Sequence, residues 1–144
     1  GVEVTGGQLT TVTFTYEEDQ LTSSLETWRQ DNFGTILDSG VAADVADPDK
    51  DGVTNIDEYT AGTDPKNSTD FLKFSTAIKT GTTFSAECAG KSGRIYVLQR
   101  NTELDGKWTS VSSQGPLAAE GTVLLTDDSA PVDASFYRIK VSMP

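Results

Sequence analysis

The sequence predicts a mainly β protein, an antiparallel sandwich preceded by a short helix–loop–helix segment, and three observations carry that prediction. From Phe71 onward, apolar and polar residues alternate in six short runs separated by turn residues, the period of strands with one buried face. Between Ser23 and Gly62 the signals change to helix caps and helically spaced apolar residues. Between the two helical stretches, aspartates stand at every second position from Asp47 to Asp51. The chain therefore divides into an N-terminal strand over residues 1–18, the helix–loop–helix segment over 19–70 and the sandwich over 71–144.

Residues 1–18 read as one strand, in which Leu9, Thr11, Thr13 and Thr15 alternate with Thr10, Val12, Phe14 and Tyr16. With no immediate hairpin partner, this strand is expected to pair with the distant sandwich, to end a preceding domain, or to add to a neighbouring molecule. Next, Ser23-Ser-Leu-Glu26 is a capping box, and Leu25, Trp28 and Phe33 anchor a helix from Ser24 to Phe33 that stops at Gly34. Trp28 is expected to be a core anchor. Residues 35–46 follow as a loop. A second helix, Asn55 to Ala61, is closed by Gly62 and Pro65, and its Ile56 and Tyr59 should pack on the first.

The loop between them, Asp47-Pro-Asp-Lys-Asp-Gly-Val-Thr-Asn-Ile-Asp-Glu58, places side-chain oxygens at positions 1, 3, 5, 9 and 12 and glycine at position 6. Ca²⁺ takes six to eight oxygens at roughly 2.3–2.6 Å, so a loop that binds it must curl and turn alternate side chains inward. The spacing predicts Asp47, Asp49, Asp51, the Val53 carbonyl, Asn55 and Glu58 as ligands, with Gly52 at the sharp turn. Without a cation, three carboxylates so spaced repel one another. Asp44 and Asp64 are further candidate ligands, for which surface or capping roles are the competing expectation.

The run from Ala46 to Pro65, with its Asp-rich loop, Glu58-Tyr59 and Gly62-Thr-Asp-Pro65, resembles the EF-hand-like, thrombospondin type-3-like calcium segments near the C-termini of large secreted bacterial proteins. The resemblance implies that these residues bind calcium as a structural spacer or clamp beside other modules. Thirteen residues separate Phe33 from Asp47, and position 8 is Thr54 where paired EF-hands carry a β-branched aliphatic. A lone site is therefore expected, rather than a sensor pair.

In the sandwich, Leu72, Phe74, Thr76 and Ile78 alternate before a turn at Thr80-Gly-Thr82, and Phe84, Ala86 and Cys88 return. Strands over Arg94–Asn101 and Lys107–Ser113 flank Asp105-Gly106, a hairpin signal. Thr122–Thr126 and Phe136–Met143 complete six, the last with Tyr137, Ile139 and Val141 on one face. The segments Tyr96–Leu104, Lys107–Val111 and Phe136–Val141 resemble the immunoglobulin- or fibronectin type III-like modules that close such secreted proteins. Those modules commonly have seven strands, and the N-terminal strand is the candidate for the seventh.

Composition narrows the partners. Acidic residues outnumber basic ones 22 to 11 in 144 residues, a net charge of −11, which disfavours nucleic acid and anionic membranes. Residues 44–70 hold eight acids against two lysines, a local balance of −6. The chain has no histidine, so Ser-His-Asp, Cys-His and histidine-based zinc chemistry are excluded. Its lone cysteine, Cys88, forms no internal disulfide and reads as a small buried hydrophobe. No apolar run reaches membrane-spanning length and no signal peptide is visible. The start at Gly1 suggests a processed or excised piece, and a weak calcium site suits an extracellular or cell-surface location. Asp127-Asp128 and Glu17-Glu18 are adjacent pairs, which a strand turns to opposite faces, so no enzyme is expected.

Three functions follow as expectations: a non-catalytic, calcium-stabilised extracellular module serving as spacer, attachment or stability unit; a carbohydrate-binding module using Trp108, Tyr96, Tyr137 and Phe136; or a self-assembling fibre or surface subunit using the N-terminal strand. The corresponding partners are Ca²⁺, neighbouring domains or copies of the chain, and polysaccharide.

Overall fold

The computed structural model describes residues 3–5, 8–10, 23–103, 105–133 and 135–144. At the N-terminus, β1 (Glu3–Thr5) and β2 (Gln8–Thr10) pair antiparallel, with Thr5 opposite Gln8. A single strand was expected here. The Gly6-Gly7 pair between the two runs is a two-residue hairpin signal that outweighs the alternation around it. Residues 11–18 of that expected strand lie outside the described residues.

Helix α1 (Ser24–Phe33) starts and stops where its caps require. The Ser23 hydroxyl accepts from the Glu26 amide, the Glu26 carboxylate accepts from the Ser23 amide, and Gly34 ends the helix at φ 73°. A 3₁₀ turn over Gly40–Ala42 follows, then α2 (Asn55–Ala61), which ends at Gly62 with φ 78°. Trp28 packs edge-on against both Phe33, at 5.8 Å between centroids, and Tyr59, at 5.7 Å. The Tyr59 hydroxyl also meets the Ser24 hydroxyl at 2.5 Å. The expected packing of Tyr59 on the first helix is therefore present.

The remainder is β. Strands β3 (Thr76–Thr80), β4 (Thr83–Gly90) and β7 (Gly121–Asp127) form one antiparallel sheet in the order β3-β4-β7. A second antiparallel sheet has the order β6-β5-β8, from β5 (Ile95–Asn101), β6 (Thr109–Gln114) and β8 (Phe136–Ser142). Both sheets feed one core, in which Cys88 from β4, Tyr96 and Leu98 from β5, and Val123 and Leu125 from β7 are buried. Phe84, Val111, Tyr137, Ile139 and Val141 pack around them, the arrangement of a sandwich. Burial pushes the Cys88 thiol up to about 11, which keeps it protonated and unreactive at neutral pH.

Two strand expectations need correction. The first strand begins at Thr76, not near Phe71; Leu72 and Phe74 reach the core from unpaired chain. Their alternation reflects burial without a ladder. Ile78 is 63% exposed, because β3 is an edge strand that the opposite sheet does not cover.

Candidate metal centre

The Asp-rich loop winds inward because its own backbone amides bind its carboxylates. Asp47 accepts from the amides of Lys50 (2.8 Å) and Gly52 (3.0 Å), Asp49 from Asp51 (3.2 Å), and Asp51 from Val53 (2.8 Å). The turn requires left-handed backbone at Lys50 (φ 65°) and Gly52 (φ 94°), which glycine adopts at little cost. Asp47, Asp49 and Asp51 each then offer a carboxylate oxygen, and these three oxygens lie within 4.8 Å of one another.

Val53 lies in the loop between Gly52 and α2, and the other two predicted ligands, Asn55 and Glu58, come from α2. Its first residue, Asn55, donates through Nδ2 to the carbonyls of Val41 (2.9 Å) and Ala43 (2.8 Å), leaving Oδ1 as its free end. The 35–46 loop that supplies those carbonyls is held in turn. Buried Arg29 of α1 binds Asp44 at 2.5 Å, the Asp44 carbonyl accepts from Ile56, and the Ala46 carbonyl accepts from Asn55. One turn further along α2, Glu58 is 0% exposed. Thr63 Oγ1 lies 3.5 Å from its Oε1.

Four buried oxygens of this cluster have no hydrogen-bond partner: Asp49 Oδ2, Asp51 Oδ2, Asn55 Oδ1 and Glu58 Oε2. Buried polar atoms are ordinarily paired, and each unpaired one costs about 1–3 kcal/mol. Four on residues chosen by one ligand template fit a hard cation, which oxygen donors alone can satisfy. Electrostatics agree. Burial first, then the charges of Asp49 and Asp51, push the Glu58 carboxyl up to about 7, with Asp64 adding to the effect. Asp49 is also raised, chiefly by burial.

The two additional candidates have other partners. Asp44 is committed to Arg29, and exposed Asp64, whose charge adds to the shift of Glu58, accepts the Lys66 amide in a turn. Arg29, the anchor of the 35–46 loop, is the residue that sequence reasoning missed, since its partner Asp44 lies fifteen residues away.

The aromatic candidates for a sugar platform are mostly occupied within the fold. Tyr96 is 1% exposed, and Tyr137 stacks on Phe84 at 3.7 Å between centroids. The Arg138 guanidinium lies over the Trp108 ring at 4.2 Å. Phe136, at 43% exposed, stands free on the surface of β8. Among the described residues, no helix is long and apolar enough to cross a membrane. No protein-family model, no curated protein and no solved structure matches the chain.

Proposed function

We propose that residues 47–58 form a single calcium site and that the chain is a non-catalytic, calcium-stabilised module of a secreted or surface protein. Asp47, Asp49, Asp51, Asn55 and Glu58 would supply side-chain oxygens and Val53 its carbonyl. The observation that carries the reading is the set of four buried oxygens without partners, all on predicted ligands. Calcium suits an all-oxygen set of this size better than Zn²⁺, which prefers histidine and cysteine, or Mg²⁺, which keeps several waters. On this reading the two helices and their loop are a helix–calcium loop–helix clamp, and the six strands are an immunoglobulin- or fibronectin type III-like sandwich. The other two readings have less behind them: most of the aromatic platform is engaged in packing, and β1 and β2 already pair with each other.

A weak extracellular site, with a dissociation constant of about 10⁻⁴ M, would stabilise the folded chain by about 1.4 kcal/mol at about 1 mM calcium. Thermal unfolding in calcium against chelator is therefore expected to show a rise in Tm of about 5 °C, and Asp49→Ala should remove it. Equal melting in both conditions, with no heat of calcium binding by calorimetry, would overturn the proposal.

A further inference from the structure

The candidate site and the sandwich are joined through one side chain. Arg94 is half-buried in the turn between β4 and β5. It donates through Nε to the Thr60 carbonyl (2.7 Å) and through Nη2 to the Tyr59 carbonyl (2.8 Å). Those carbonyls belong to the two residues directly after Glu58, in the last turn of α2. The final carbonyls of a helix have no partner within it and mark its negative end, so a guanidinium forking across two of them is a strong cap.

The turn that carries Arg94 is itself tied to the core. The Arg94 carbonyl accepts from the Leu117 amide (3.0 Å), and the Gly93 amide donates to the Leu117 carbonyl (2.8 Å). Tyr96, whose ring lies in the core, accepts the Lys91 amide on its hydroxyl at 2.8 Å. Opposite, Gly62 approaches so closely that a Cβ placed there would lie 3.2 Å from the Lys91 Cβ. A continuous path therefore runs from Tyr96 through the 91–94 turn and the end of α2 to Glu58.

We propose that Arg94 is a positioning residue for the cation site: it fixes the turn of α2 that presents Glu58 and makes cation binding and sandwich stability mutually reinforcing. The inference rests on residues 47–58 binding calcium. Coupling of this kind is reciprocal, so whatever Arg94 adds to calcium affinity, calcium must return to the Arg94 contact. Arg94→Ala is expected to weaken calcium binding about 5- to 10-fold in titration calorimetry of the full chain. In saturating calcium its stability penalty should also exceed that in chelator by the free energy to which this fold-change corresponds, which a merely structural residue would not produce. Arg94→Lys, which keeps the charge but cannot fork across both carbonyls, should fall between. Unchanged affinity in both variants, with equal penalties in calcium and chelator, would overturn the coupling while leaving the site intact. A parent chain that binds no calcium would overturn both.

Discussion

Glu58→Gln is expected to make the cation-free protein more stable at pH 8, by up to about 3 kcal/mol, while abolishing its response to calcium. Glu58 is fully buried, and burial together with the charges of Asp49 and Asp51 raises its carboxyl from 4.5 to about 7. A displacement of that size corresponds to about 3 kcal/mol of preference for the protonated form in the folded state. Below pH 4.5 both states are protonated and the preference costs nothing. Between 4.5 and about 7 the unfolded chain has ionised while the folded chain retains its proton, so stability falls as pH rises; above 7 the full cost remains. Glutamine keeps the shape without the charge. Denaturant unfolding in chelator at pH 5 and pH 8 should therefore show a falling stability for the parent and a flatter profile for the variant. If calcium binds the carboxylate as proposed, about 1 mM of it should narrow the gap at pH 8 by about 1.4 kcal/mol, because only the parent gains the increment. Calcium affinity should weaken as pH drops below about 7 and protons compete for Glu58. A variant less stable than the parent in chelator at pH 8 would mean that the folded chain itself satisfies Glu58.

The parts of this architecture that were legible in the sequence are those whose causes are local. The capping box at Ser23 and Glu26 and the stops at Gly34 and Gly62 delimit both helices, since every partner lies within a few residues. The Asp-rich loop is legible for the same reason: its carboxylates bind amides two to five residues away. Alternation located six strands, but it could not separate a paired residue from a merely buried one, so Leu72 and Phe74 were expected in a strand that begins later. The arginines were out of reach. Arg29, Arg94 and Arg100 find their partners 15, 34 to 35 and 27 residues away, and no local pattern predicts which acid or carbonyl a folded chain brings to a guanidinium. They nevertheless hold the loop, the helix end and the sandwich in place.

Asp127 is the clearest case, because an acid with no expected role proves to be the centre of a buried network. Asp127→Ala is expected to destabilise the protein by about 3–5 kcal/mol without altering the increment that calcium adds. The residue is 3% exposed at the end of β7. It accepts from Arg100 Nη1 at 2.6 Å, from the Tyr137 hydroxyl at 2.9 Å and from the Ser129 amide at 3.0 Å. Truncation leaves the mostly buried Arg100 without its counter-charge and the Tyr137 hydroxyl without its acceptor, and uncompensated groups of this kind cost more than the bonds were worth. The carboxyl is governed by opposing effects: burial raises it, but the Ser129 amide, the Tyr137 hydroxyl and Arg100 together hold it below its usual value. A depressed carboxyl contributes stability that is present above its unfolded value, near 3.8, and is lost as pH falls through the folded one, so the contribution should be intact at neutral pH and lost on acidification below that unfolded value. Asp127→Asn, which keeps an acceptor but loses the charge, should cost less than alanine. Neighbouring Asp128 is exposed, and its alanine variant should stay within about 0.5 kcal/mol of the parent. The calcium increment depends on the affinity of the folded state alone, so it should survive in Asp127→Ala even as the baseline falls. Denaturant unfolding of the three variants with and without calcium tests the whole set, and an Asp127→Ala penalty under about 1 kcal/mol would remove the network from the account of what holds the two sheets together.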